Sequence, residues 1–307
     1  MTSDTAVFSR LSRRMRALEQ LVSPCNVLAD VGCDHGFLAI CFVQTKRAER
    51  AIAMDVRPGP LERAREHVER YGCGDRIALR LSDGLEALNP GEADAILIAG
   101  MGGGTILHIL GDGWEKARSA KELILQPQSE ISRVRKFLLE RGYRIEAEDM
   151  VEEDGKFYSM MRAVPAEGGE KRARKNLPDH EKLPEQENLP EQENLPKREN
   201  LPEGENLSDR KEVWSREELR FGKRLIEERH PVLERYLRRE ESRCRKLEQN
   251  LSGIPGTRSA DRREAVLEEL ADVRLALKRF EKYPASGAAD PASETVDLPV
   301  PRGEEDL

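Results

Sequence analysis

Along its first 165 residues the chain alternates short apolar runs with segments whose apolar positions recur every three or four residues. The runs Val27–Val31, Ala51–Asp55, Ile77–Leu81, Ala93–Ala99 and Glu122–Leu125 have strand length. The segments Phe37–Thr45, Pro60–Tyr71, Thr105–Leu110 and Ile131–Arg141 follow them in turn and predict helices. Such regular succession predicts a parallel sheet with crossover helices. Two more runs, Tyr143–Glu148 and Gly155–Ala163, have no helix between them and meet through Glu152-Glu153-Asp154-Gly155, so they predict a terminal hairpin. The expected fold is therefore α/β and Rossmann-like, with a seven-stranded, mostly parallel sheet. Ahead of it, Leu11, Met15, Leu18 and Val22 lie at helical spacing, and Arg10, Arg13, Arg14 and Arg16 crowd the rest of that helix.

The second half has a different pattern. From Asn176 to Ser208 the sequence repeats every six residues in variants of Asn-Leu-Pro-Glu-Gln-Glu, and a proline in nearly every repeat forbids a continuous helix. This segment reads as a linker over 166–212. Helical periodicity returns from Ser215 to about Asn250, with Leu219, Leu225, Ile226, Leu233, Leu237 and Leu247 as its stripe and Pro231 as a kink or restart. After Ser252-Gly253-Ile254-Pro255-Gly256, a second helix to Tyr283 places Val266, Leu270, Val273, Leu277 and Phe280 on one side. An antiparallel, coiled-coil-like helical hairpin over 213–284 is expected, with a disordered tail over 285–307. The hairpin carries many arginines interspersed with glutamates, a pattern that usually marks a solvated face.

Composition changes the picture little. The net charge of −7 argues against nucleic acid when taken alone, but much of the excess acid lies in the repeat. The five cysteines form no C-x-x-C pair and read as thiols in a reducing compartment. With no apolar leader, no run of membrane-spanning length and no metal-ligand spacing, the expectation is a cytoplasmic protein without metal, a monomer or weak oligomer.

The candidate chemistry gathers at the strand ends. In Asp30-Val31-Gly32-Cys33-Asp34-His35-Gly36 a strand enters a glycine-punctuated turn that opens a helix, the form of a nucleotide-cofactor site. Here Asp30 and Asp34 sit where a pyrophosphate would lie. Two carboxylates repel phosphate but suit S-adenosylmethionine, which carries an ammonium and a sulfonium. About twenty-five residues further on, Asp55 ends the second strand, where a ribose-binding acid belongs. Ser82-Asp83-Gly84 ends the third strand, Gly100-Met101-Gly102-Gly103 the fourth and Gln126-Pro127-Gln128 the fifth. All converge on one crevice.

These residues carry a resemblance. Leu11-Ser12-Arg13-Arg14-Met15-Arg16, the Asp30–His35 turn, Ser82-Asp83-Gly84-Leu85, Ala99-Gly100-Met101-Gly102-Gly103, Gln126-Pro127-Gln128-Ser129, Arg133-Val134-Arg135-Lys136 and Glu153–Tyr158 together resemble the bacterial tRNA (adenine-22-N1)-methyltransferase family, TrmK. The resemblance spans about the first 165 residues. It implies a class I methyltransferase fold, S-adenosylmethionine as cofactor, methyl transfer to N1 of adenine 22 in tRNA, and a C-terminal hairpin that helps hold the RNA. Two positions depart from it: Phe37 stands where the family shows tyrosine, and Asp55 where many members carry glutamate.

The expected roles divide accordingly. Gly32 lines the methionine portion with Asp30 near its ammonium, Asp55 takes the ribose hydroxyls, and Asp83 takes the adenine amine between Ser82 and Gly84. Gly100, Met101, Gly102, Gln126, His35 and Phe37 are candidates for positioning the target base. Because the glycine turn has no acidic side chain, backbone carbonyls, Gln126 or water must accept any proton. Arg10, Arg13, Arg14, Arg16, Arg133, Arg135 and Lys136 are expected on RNA phosphates. A methyltransferase for another substrate and a non-catalytic RNA-binding protein on the same fold remain open alternatives.

Overall fold

The computed structural model describes residues 7–166, 213–252 and 257–281. Its sheet contains β1 (Cys25–Val31), β2 (Ala48–Asp55), β3 (Ile77–Leu81), β4 (Ala95–Met101), β5 (Glu122–Pro127), β6 (Tyr143–Glu153) and β7 (Lys156–Pro165). The seven strands lie in the order β3-β2-β1-β4-β5-β7-β6. The first five pair in parallel, and β7 runs antiparallel to both β5 and β6, as the missing crossover helix predicts. The strand order reverses between β1 and β4, which opens a crevice at their carboxyl ends.

Helices α1 (Arg13–Leu21), α2 (Phe37–Gln44), α3 (Pro58–Arg70), α4 (Gly103–Asp112), α5 (Trp114–Ala117) and α6 (Ile131–Glu140) cover the sheet. Ser12 caps α1 by accepting from the Met15 amide at 3.3 Å. Helix α2 is apolar all round because it is buried from Leu38 to Val43. The fourth strand starts two residues later than its apolar run, at Ala95. Asp94 is withheld from it: its carboxylate accepts from the Asn26 and Val27 amides at 2.9 and 3.1 Å and pairs with Lys121. At its other end β4 continues through Gly100 and Met101 by way of an irregularity against β5.

The C-terminal region corrects one expectation. The helical stretch from Ser215, expected to kink or restart at Pro231, is three helices, α7 (Arg216–Phe221), α8 (Lys223–Glu227) and α9 (Pro231–Ser252), with the restart at Pro231 and a further break at Gly222. Gly222 makes the first break at φ +98°, and a Cβ there would lie 2.7 Å from the Glu148 carboxylate and 2.9 Å from the Arg135 guanidinium. Only glycine fits that turn. Pro231 begins α9, where its missing amide hydrogen is no loss. Helix α10 (Thr257–Glu281) runs back antiparallel to α9, as the pairs Glu248–Arg263, Arg243–Glu269 and Glu241–Arg274 show. Val266, Leu270, Val273 and Leu277 are buried as their spacing predicts, against Leu233, Leu237 and Cys244.

The helical extension docks on the β6–β7 hairpin. Met150 joins its apolar cluster, Phe157 meets Tyr236 edge to face, and His230 reaches Asp149 at 2.9 Å. The hexapeptide repeat and the tail lie outside the described residues. No helix among the described residues is long and apolar enough to cross a membrane.

Candidate functional site

The turn after β1 is a cradle that side chains would fill. Gly32 has φ +75°, and a Cβ on it would lie 2.1 Å from the Met101 methyl, so the β1 and β4 turns meet there. The Gly32 and Cys33 amides donate to the Met54 carbonyl, locking the β1 turn to β2. Asp30 lies beside this turn, only 3% exposed, and one of its carboxylate oxygens has no partner. Burial pushes its carboxyl up to about 7, the Ala39 amide opposes that rise, and Asp55 adds to it. A buried carboxylate with an unused oxygen is complementary to a cationic group.

Asp55 is buried at the end of β2, where its carboxylate accepts from the Asp34 and Arg57 amides at 3.3 and 3.0 Å. The Asp34 carboxylate itself turns outward, to Arg63 at 3.3 Å and His35 at 3.5 Å. The expected acidic pair of Asp30 and Asp34 is thus replaced by Asp30 and Asp55. Beyond β3, the Ser82 hydroxyl donates to the Gly84 carbonyl and accepts from the Ala87 amide, both at 3.0 Å, and these bonds knit a turn that leaves Asp83 exposed. Gly84 takes φ +51° against Ile109. Two residues escaped the sequence reading here. Val56 and Leu81 are 57% and 58% exposed; Val56 follows Asp55 in the chain and β2–β3 pairing sets Leu81 opposite it, so exposed aliphatic side chains flank that acid. Exposed aliphatic side chains at strand ends are the signal that could have revealed this.

The His35 ring stacks on Phe37, whose ring in turn lies 4.4 Å from that of His67. His67 also bonds the His35 carbonyl through Nδ1 at 2.9 Å, so a helix α3 residue that sequence reasoning passed over supports both rings.

At β4 and β5 the geometry is tighter. Gly103 allows the close approach of Ser129, whose carbonyl oxygen would lie 2.4 Å from an added Cβ, while its hydroxyl accepts from the Gly103 amide at 3.2 Å. Gly100, at φ +79°, donates its amide to Oε1 of Gln126 at 3.1 Å. The same oxygen accepts from Nη1 of Arg14 at 3.2 Å, and the Arg14 guanidinium lies over the Tyr158 ring, 5.1 Å from its centroid. Gln126 is fully buried.

The basic residues divide. Arg10 and Arg13 are exposed, and Arg16 lies over Phe8. Arg133 and Lys136 pair with Glu130 and Glu140 along their own helix. Arg135 is a correction: its side chain is 1% exposed and pairs with the fully buried Glu148 at 2.7 Å. It also donates to the Leu219 and Arg220 carbonyls and to the Ser159 hydroxyl. It therefore ties the sheet to α7 and is closed to phosphate. An i+2 spacing from Arg133 on an amphipathic helix turns the two side chains to different faces, which the sequence clustering concealed. Among the described residues no group of His, Cys, Asp or Glu could hold a metal ion.

Residues 11–161 match a family model described as a methyltransferase domain. The chain is 39% identical over 164 residues to the tRNA (adenine(22)-N(1))-methyltransferase of Bacillus subtilis strain 168, a match covering 53% of this chain and 68% of that protein. The solved structure of the B. subtilis M1A22 tRNA methyltransferase TrmK superposes with a TM-score of 0.65 at 27% identity, covering 87% of this chain and 98% of that one. Streptococcus pneumoniae Sp1610 in complex with S-adenosyl-L-methionine superposes with a TM-score of 0.63 at 28% identity, covering 87% and 99%. By its cleft and by these relatives, the chain belongs to the tRNA (adenine(22)-N(1))-methyltransferase family.

Proposed function

We infer that this protein transfers the methyl group of S-adenosylmethionine to N1 of adenine 22 in tRNA. The observation that carries the cofactor reading is Asp30, a buried carboxylate with an unused oxygen beside a glycine cradle. The residues present fit the cofactor. Asp30 and the Gly32 turn would hold its amino-acid end, Asp55 its ribose hydroxyls, and Asp83 its adenine amine, with Val56 and Leu81 against the apolar faces of the ring. When bound, S-adenosylmethionine supplies an electrophilic methyl on a sulfonium.

Adenine N1 carries an in-plane lone pair and attacks that methyl directly, so the protein's task is placement. A near-attack alignment can account for about 7–11 kcal/mol of barrier reduction in favourable cases. Gly100, Met101 and Gly102 supply a floor of backbone and a thioether with no acid, and His35 and Phe37 offer stacked rings to a base. The exposed Arg10 and Arg13 at the start of the N-terminal helix are suited to phosphates, as is the half-buried Arg16 on α1, together with Arg133 and Lys136 where their glutamate partners yield. The helical extension serves as an arm for the RNA.

Incubation with bulk tRNA and labelled S-adenosylmethionine, followed by nucleoside analysis, tests the reading. One labelled nucleoside, 1-methyladenosine, is expected. Label in protein, in another nucleoside, or nowhere contradicts it.

A further inference from the structure

Arg14 occupies a different position from its neighbours in the basic N-terminal helix. Arg10 and Arg13 are exposed; Arg14 and Arg16 are both half-buried, each with its guanidinium over an aromatic ring and an Nε without a partner among the described residues, but it is Arg14 whose guanidinium bonds the Gln126 amide, with the Tyr158 ring on its other side. The two donors on Gln126 settle that side chain's chemistry. Oε1 accepts from both the Gly100 amide and Arg14, so the opposite amide orientation would set an NH2 against two N–H groups. The group left over is Nε2, a donor that is buried and without a partner. A side chain whose acceptor is already engaged twice, leaving only a donor, is poorly placed to take a proton from adenine.

The sheet explains how the contact forms. Gln126 stands opposite Ala99 across β4 and β5, one residue before the left-handed Gly100, and the oxygen of Gln126 therefore reaches the amide that begins the glycine turn. Arg14 closes the chain from above. Its planar fork lies on an aromatic face and bonds through one edge, a geometry that an ammonium does not reproduce.

We propose that Arg14 is a positioning residue for methyl transfer: through Oε1 of Gln126 it fixes the Gly100–Met101 turn that receives the target adenine, and Gln126 acts as an oriented amide instead of a proton acceptor. The proposal rests on the functional reading above. It reassigns Arg14 from phosphate binding to the geometry of the reacting base.

A double-mutant cycle on the full chain tests it, with R14K, Q126M and the combined variant assayed for kcat, for KM toward tRNA and for salt dependence. Calorimetric S-adenosylmethionine affinity and thermal unfolding serve as controls. R14K keeps the positive charge, so a phosphate role predicts near-normal kcat. The positioning role predicts a fall in kcat between about tenfold and about 100-fold with little change in KM, the scale of a small misplacement of reacting groups. It also predicts that R14K adds little to Q126M, since the first acts through the second. Should Q126M fail to fold, R14K alone still decides by whether kcat or KM moves. Additive effects, or an R14K change confined to KM with a shallower salt slope, overturn the proposal. A wild-type enzyme that makes no 1-methyladenosine overturns the functional reading itself, which is a separate result.

Discussion

The crevice at the strand ends and the helical extension handle polar groups in opposite ways. In the crevice, Asp30 Oδ2, Gln126 Nε2, Arg14 Nε and His35 Nδ1 are buried without partners among the described residues. On the extension the charges close on one another: Arg238 on Glu234, Arg243 on Glu240 and Glu269, Arg245 on Glu241, Arg263 on Glu248. Trp214 Nε1 and His230 Nδ1 also lack partners where the extension meets the sheet, and so do Arg16 Nε on α1 and Arg162 Nε on β7. An unsatisfied buried polar atom costs about 1–3 kcal/mol, so a cluster of them makes no sense as stabilisation. It makes sense as a surface finished by ligands. The pairing on the extension makes those arginines weaker phosphate ligands than their number suggests, while the exposed Arg258 and Arg262 stand outside the pairs.

The largest effect is expected at the joint between the two regions. Arg135→Ala leaves Glu148 buried and uncompensated and should cost about 3–5 kcal/mol in thermal or urea unfolding, while replacing both partners with apolar residues should cost less. A single replacement that leaves stability unchanged would show that the joint does not couple extension to sheet.

Within the crevice, Asp55→Ala should weaken S-adenosylmethionine binding by about 1.5–3 kcal/mol, the scale of hydrogen bonding to a charged group. Unchanged calorimetric affinity in the folded variant would remove the ribose assignment.

A smaller effect follows pH. Burial raises the Asp30 carboxyl to about 7, above its unfolded value, so the acid is neutral in the folded protein on the acidic side. The stability it contributes is complete below the unfolded value and is lost as pH rises through about 7. An ammonium ligand reverses the preference by favouring the carboxylate. Cofactor affinity should therefore climb toward pH 7 by at most about tenfold per unit, with uptake of a cationic ligand expelling a proton. Calorimetry in buffers of different ionisation enthalpy detects that proton, and Asp30→Asn should abolish both effects. A pH-independent wild type would mean that Asp30 does not face the ammonium.

How much of this was legible depended on whether the signal was local. Strands, glycine turns and the places of Asp30, Asp55 and Asp83 at or just beyond strand ends could be read because each strand and turn follows from a pattern within a few residues. The pairing of Val266, Leu270 and Val273 with α9 was legible for the same reason. Arg135 could not be read: its burial depends on Glu148 and on carbonyls of Leu219 and Arg220, more than 80 residues away. Arg14 and Gln126 meet across 112 residues, and Leu81 comes opposite Asp55 only when β2 pairs with β3. Asp34 was misplaced because a left-handed turn at φ 47° sends its carboxylate outward, which composition does not reveal.

The smallest effects should come from the surface cations. Arg13→Gln should flatten the dependence of tRNA affinity on salt by about one unit, as loss of a phosphate contact does. Arg238→Gln, whose guanidinium already has Glu234, should change the slope by less, with a stability change of about 0–1 kcal/mol. Equal slopes for the two would erase the distinction between open and self-paired arginines.

The central claim is that the crevice is completed by S-adenosylmethionine and by one particular adenine. Its most direct test compares methylation of an unmodified tRNA transcript carrying adenine 22 with the same transcript carrying guanine there. The account predicts full methylation, mapped to N1 of position 22, in the first and none in the second. Equal methyl incorporation into both transcripts would contradict it.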